Sequence, residues 1–210
     1  MSTHLDVPHV RVAVEGESDT GMVGTLLDHV GLELASPCVV KRGVANLDKL
    51  IPGLAHTTIL NPWIVFRDSD AQCPVEIREK LIGSRVHGDG FELRIACSMT
   101  EAWLLADTDG FAEFFKVPVK KLPQAPDSLP HAKQELLRVC QLAPNSIRKD
   151  MVHFDGSAGP LYVKRLNDFA RDRWDVTCAR LTSPSLDRTI VRLAQLREEL
   201  VETFRPAPAR

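Results

Sequence analysis

Two acidic clusters follow two strand-like apolar runs: Glu15-Gly16-Glu17-Ser18-Asp19 after Val10 to Val14, and Asp68-Ser69-Asp70 after Trp63 to Arg67. Carboxylates are costly to take out of water and repel one another when gathered. Acids brought together at strand ends therefore call for a cation. Hard oxygen donors with no thiolate or imidazole beside them select Mg²⁺ or Mn²⁺. Asp68 and Asp70, two residues apart, point to the same side if the chain stays extended there. Their Cα atoms would then lie roughly 6–7 Å apart, close enough to share one ion or flank two. Glu15 reaches the same site if its strand lies next to that of Asp68.

The elements that must do this positioning are legible in the periodicity. Val10 to Glu15 is a β-branched run, hence a buried strand, followed by a helix from about Asp19 to Gly31. A short strand follows at Cys38 to Lys41, then a helix at Asn46 to Leu54, a strand at Trp63 to Arg67 and a helix from Pro74 to about Leu81. The turn His87-Gly88-Asp89-Gly90 precedes a strand from Phe91 to Ala96, and Glu101 to Ala106 starts another helix. Strands alternating with helices predict an α/β fold with a mainly parallel sheet flanked by helices. In such a sheet ligands gather beyond the carboxyl ends of the strands, where both acidic clusters fall. Val117 to Pro130, with four prolines, reads as a linker. Helices are expected around His131 to Cys140, Leu161 to Arg171 and Leu186 to Phe204. The expected organisation is an α/β domain over residues 1–116 and a mostly helical extension over 117–210, packed on it.

At 210 residues, 44% hydrophobic and 26% charged, the chain can bury one sizeable core. Residues 1–9 lack the start of a signal peptide, and no apolar run approaches the roughly 20 residues that span a bilayer, so a cytoplasmic protein with no membrane partner is expected. The five cysteines are odd in number, widely spaced and free of Cys-x-x-Cys. That argues against a disulfide framework or structural zinc and for reduced core residues. Charge is segregated: residues 1–115 hold 9 Lys+Arg against 17 Asp+Glu, a balance of −8, and residues 116–210 hold 17 against 11, or +6. A basic half beside an acidic half suits a polyanionic substrate; solvated helix faces explain the bases equally well.

The ordered pair, strand-Glu15-Gly16-x-x-Asp19 and then strand-Asp68-x-Asp70, resembles the Toprim catalytic fold of topoisomerases, bacterial primases and OLD-family nucleases. The stretch Thr100-Glu101-Ala102-Trp103-Leu104-Leu105-Ala106-Asp107 is similar to one in small bacterial Toprim-like proteins, some associated with ATPases. The resemblance implies Mg²⁺- or Mn²⁺-dependent phosphodiester chemistry on nucleic acid, DNA ahead of RNA, with a defence or repair system as one setting. It implies that Glu15 ligates metal or transfers a proton, that Asp68 and Asp70 hold metal, and that Asp19 and Glu101 complete the shell. A divalent ion can polarise a phosphoryl oxygen, activate water and stabilise the departing alkoxide. The departures narrow it. The single tyrosine, Tyr162, lies outside the Toprim-like stretch, which disfavours a topoisomerase, and the primase cysteine cluster is missing. No Gly-x-x-x-x-Gly-Lys-[Ser/Thr] occurs, so any ATPase is expected as a separate chain. Strand-Asp-x-Asp also occurs in haloacid-dehalogenase-like phosphatases and nucleotide-sugar glycosyltransferases, but neither accounts for Glu15-Gly16-x-x-Asp19. The stronger rival is a non-catalytic accessory subunit that binds an ATPase or nucleic acid, for which the amphipathic Leu186 to Phe204 segment could form an interface, though core packing is the commoner use of such a stripe.

Several residues have a plainer role available. Asp19 is placed to cap the following helix, and Ser98-Met99-Thr100-Glu101 matches a capping box, a role set ahead of direct metal binding by Glu101. Arg67 could contact substrate or pair with neighbouring carboxylates. Among the C-terminal bases, Lys164 and Arg165 are the first candidates for phosphate contacts, with Tyr162 beside them as a stacking surface. The seven histidines form no ligand spacing, and Asp155-Gly156-Ser157-Ala158-Gly159 is not a Gly-x-Ser-x-Gly elbow.

Overall fold

The computed structural model describes residues 7–56, 61–83 and 90–203. In chain order its elements are β1 (His9–Val14), α1 (Asp19–Val30), β2 (Glu33–Leu34), β3 (Val39–Val40), α2 (Val44–Leu54), β4 (Trp63–Asp68), α3 (Pro74–Ile82) and β5 (Phe91–Ala96). Seven helices follow: α4 (Thr100–Ala106), α5 (Thr108–Phe115), α6 (Ala132–Cys140), α7 (Asn145–Met151), α8 (Tyr162–Asp172), α9 (Val176–Ala179) and α10 (Pro184–Thr203). The result is the expected α/β architecture with a helical C-terminal segment.

Every strand pairing is parallel, in the order β2-β1-β4-β5, with β3 pairing further along β1. Parallel neighbours need crossover connections, and the helices between strands supply them. The sheet is buried on both faces, as parallel sheets are. Val10, Val12 and Val14 of β1 and Ile64 and Phe66 of β4 face a core shared with α1, α4, α5 and the C-terminal helices. Ala13, Trp63 and Val65 face a smaller core under α2 and α3. Strand alternation thus divides consecutive residues between two cores.

Helix α1 ends at Gly31, whose φ of 74° is the left-handed conformation that closes helices. It packs on α8 at an unusually close crossing. A Cβ on Gly21 would lie 2.7 Å from Asn167 Oδ1 and 2.8 Å from its Cα, so only glycine fits. The proline-rich 117–130 segment is irregular, with two short 3₁₀ turns, but it is packed rather than free. Val117 and Leu122 are buried, and Asp127 accepts hydrogen bonds from the Ser183 hydroxyl at 2.6 Å and the Ser185 amide at 2.7 Å. The apolar stripe of α10 (Leu186, Ile190, Leu193, Leu196) faces the main core, the commoner use of such a stripe. The cysteine expectation is corrected: all five are free, but only Cys140 is buried, and Cys73 and Cys178 are exposed. The turn at 87–90 falls almost wholly outside the described residues. Among the described residues no helix is long and apolar enough to cross a membrane.

Candidate functional site

Strands β1 and β4 lie side by side in parallel, with Ala13 opposite Val65, so Glu15 emerges from one strand end next to Asp68 at the other. Strand β5 continues the row, pairing Ala96 with Asp68 and carrying the chain into α4. The acids of three segments therefore gather at the carboxyl end of the sheet.

Thr100 ties two of them together. Its amide donates to Asp68 Oδ1 at 2.9 Å and its hydroxyl donates to Asp19 Oδ1 at 2.8 Å. Asp19, 7% exposed, also accepts from the Gly16 amide at 2.9 Å. Asp19 accordingly does not cap α1: it lies in the first turn, and its oxygens take a loop amide and a hydroxyl from α4. Glu101, 5% exposed, accepts from the Tyr162 hydroxyl at 2.8 Å.

The capping box at Ser98 is not formed. Ser98 has a φ of 68°, away from the extended backbone of an N-cap residue. Its amide donates to Ser69 Oγ at 2.8 Å, its own hydroxyl is buried without a partner, and Met99 stands at the helix start with no side-chain cap. The extended presentation of Asp68 and Asp70 is also corrected. Strand β4 stops at Asp68, and Asp70 and Ala71 turn sharply with φ of 49° and 62°. The Asp70 amide donates to the Ser98 carbonyl at 2.9 Å, which fixes the turn against the chain leaving β5.

These acids feel one another. Burial, then repulsion from Asp70 and Asp19, pushes Glu15 up from 4.5 to about 6, with Arg67 and a Val44 backbone contact opposing. Asp68 is held well above the usual carboxylate range by burial, then by Asp19, Glu101 and Glu15. Burial is also the main cause raising Asp19 and Glu101. Glu15 Oε2 is buried and has no hydrogen-bond partner. Among the described residues, however, no three Asp, Glu, His or Cys side chains are arranged to hold one ion. The five acids share a field, and Thr100 and Tyr162 donate to oxygens of Asp68, Asp19 and Glu101.

The candidate bases have carboxylate partners. Arg67, 5% exposed, pairs with Asp48 through Nε at 2.9 Å and Nη2 at 3.1 Å, and donates from Nη1 to the Asp68 carbonyl. Lys164 pairs with Asp168 at 2.5 Å and Arg165 with Asp150 at 2.7 Å. Tyr162 is 3% exposed and offers no stacking surface. Residues the sequence reading passed over include Thr100, although it opens the Thr100 to Asp107 stretch, and Asn167. The latter accepts from the Gly21 amide at 2.8 Å and donates to the Glu17 carbonyl at 3.0 Å, steadying the first acidic loop. A third is Lys133, whose Nζ lies 5.1 Å from the Tyr162 ring centre and whose charge lowers the proton affinity of Asp19 and Glu101. No spacing signal marks Asn167 or Lys133.

Fold and site define an α/β protein with a carboxylate cluster at the carboxyl ends of parallel strands. No protein-family model matches the chain, and no curated protein matches it. Among solved structures it is similar to the C-terminal region of the Xanthomonas campestris pv. campestris OLD protein, at 13% identity over 94% of this chain and 98% of that one, TM-score 0.41. It is also similar to the C-terminal region of the Burkholderia pseudomallei OLD protein, at 13% identity over 92% and 98%, TM-score 0.39. Likeness at this level transfers no residue role.

Proposed function

We propose that the chain is a Mg²⁺- or Mn²⁺-dependent phosphodiesterase acting on nucleic acid, of the Toprim type. The observation that carries this reading is Glu15 Oε2, buried and unpartnered beside other carboxylates that raise its proton affinity. A hard divalent cation is the group whose chemistry fits such a donor set. Glu15, Asp68 and Asp70 would hold it, with Asp19 and Glu101 completing the shell. When bound, the cation supplies Lewis-acid activation of a phosphoryl oxygen and of water.

The chain's own residues do the rest. Thr100 holds Asp19 and Asp68 in mutual register through one amide and one hydroxyl. Glu15 either ligates the ion or, left outside its coordination, accepts or returns a proton at its unpartnered Oε2. Arg67 fixes the end of β4 through the Asp68 carbonyl rather than gripping substrate directly. Lys164 and Arg165 reach phosphate by exchanging their present carboxylate partners. The test is cleavage of supercoiled plasmid, single-stranded DNA and RNA with Mg²⁺, Mn²⁺ or chelator. Glu15→Gln and Asp68→Asn should each lose about a hundredfold or more in rate; cleavage unchanged by both overturns the assignment.

A second reading has its own support: among the described residues no three acids are arranged to hold one ion, and the expected phosphate-binding bases are already paired. On that reading the chain is a non-catalytic subunit binding a separate ATPase or nucleic acid. Tight binding of such a partner without metal-dependent cleavage favours it.

A further inference from the structure

Strand β5 ends the sheet, and among the described residues no strand pairs with its outer edge. A cavity of about 740 Å³ runs along that edge between α3 and α10, apart from all five clustered acids. Five consecutive residues, Phe91 to Ile95, line it. Side chains of a strand alternate between faces, so a cavity touched by five in a row lies against the edge, where main-chain amides and carbonyls emerge.

The walls are positively charged. Arg78, Arg94, Arg188 and Arg192 face Glu92 and Glu199, leaving four positive charges against two negative, or +2. Arg192 reaches Glu92 Oε1 at 2.5 Å and Glu199 Oε1 at 2.9 Å. Arg94 lies 4.0 Å from the other Glu92 oxygen and donates from Nη2 to the Arg188 carbonyl at 3.5 Å, with its Nε buried and unpartnered. Arg78 and Arg188 form no ion pair among the described residues. Burial holds the Arg94 guanidinium below its ordinary proton affinity; Glu92 opposes the shift, and Arg78, Arg192 and Arg188 add to it.

We propose that this groove docks an extended acidic peptide segment of a partner protein, which adds as a strand along β5 and sets its carboxylates against Arg78, Arg94 and Arg188. An extended peptide can supply donors and acceptors to the strand edge over Glu92 to Ile95, and anions to the guanidinium groups. A nucleic-acid backbone would satisfy the guanidinium groups but brings no donors for the edge carbonyls. A second copy pairing edge to edge would set +2 against +2. Val75, 74% exposed at the rim, offers an apolar contact to the side chains that alternate with the acids. The inference stands whether or not the carboxylate cluster binds metal.

The test is fluorescence anisotropy of the full chain with a labelled octapeptide alternating Glu and Val. Two comparison peptides are N-methylated at alternate amides, one in each phase; a third carries Lys for Glu. The expected result is saturable binding that one N-methylated phase abolishes and the other retains, with about tenfold or greater weakening for the Lys peptide. Arg188→Glu, an exposed change on α10, should weaken the Glu peptide about tenfold or more, and Arg78→Glu should do the same. No binding of the acidic peptide overturns the proposal, as does equal binding of both N-methylated phases. An eight-nucleotide single strand that displaces the peptide with the same Arg188 dependence would make the groove a polyanion track instead. Dimerisation lost in Arg188→Glu would make it a self-interface, and either outcome refutes the peptide.

Discussion

Replacing Glu15 by Gln should stabilise the metal-free protein at neutral pH and leave it nearly unchanged under acid conditions. The Glu15 carboxyl is raised from 4.5 to about 6 by burial and by Asp70 and Asp19. Between these values the native state holds a proton that the unfolded chain has released, so stability is higher below pH 4.5 and falls as pH rises through 6. At about 1.4 kcal/mol per pH unit the full penalty would be about 2 kcal/mol, and solvent screening of a half-exposed carboxylate brings it to about 1 kcal/mol. For a chain of this length that is about 2–4 °C in Tm. Gln keeps the shape, drops the charge and gives Asp70 and Asp19 a donor in place of a repelling oxygen. Thermal melts followed by circular dichroism in EDTA, from pH 4 to 8, should show wild type and variant together at pH 4 and the variant about 2–4 °C higher at pH 7–8. Mn²⁺ should reverse that order, raising the wild type while leaving the variant behind. A variant less stable than wild type at pH 8 without metal, or two parallel pH profiles, would refute the reasoning.

Thr100→Val removes the hydroxyl donated to Asp19 and should cost about 1–3 kcal/mol in urea unfolding, with a further loss of metal response if the cluster is disordered. Gly21→Ala forces a Cβ against Asn167 and should cost about 1–3 kcal/mol by the same measurement, while Gly24→Ala, which meets nothing within 4 Å, should be nearly silent. Asp48→Ala leaves the enclosed Arg67 guanidinium without its carboxylate and should destabilise by about 3 kcal/mol. Asp48→Asn, which retains an acceptor, should cost less.

The strands and most helices were legible because their burial is simple. Trp63 to Arg67 is an apolar run such as a strand buried on both faces produces, and Phe91 to Ala96 alternates apolar and charged residues at the edge of the sheet. What escaped was set by tertiary packing: α7 and α9 are short, α5 follows α4 after a single residue, and the two-residue β2 exists only by pairing with β1. At the site, the convergence of Glu15 with Asp68 followed from adjacent parallel strands. The local conformations did not. Ser98, Asp70 and Ala71 take left-handed backbone, which Asp tolerates but Ser and Ala rarely adopt, and this voids both the capping box and the extended Asp-x-Asp. Arg67 and the Lys164–Arg165 pair were ambiguous because a base reads the same whether it awaits phosphate or already holds Asp48, Asp168 or Asp150.

Capture of a divalent ion by the carboxylates at the ends of β1 and β4 decides the proposed function. Electron paramagnetic resonance of free Mn²⁺, titrated with the full chain near pH 7.5, measures this directly. Saturable loss of the free-ion signal, weakened about tenfold or more in Asp68→Asn and in Glu15→Gln, is the predicted result. A signal undiminished by wild-type protein, or depleted equally by all three chains, would contradict it.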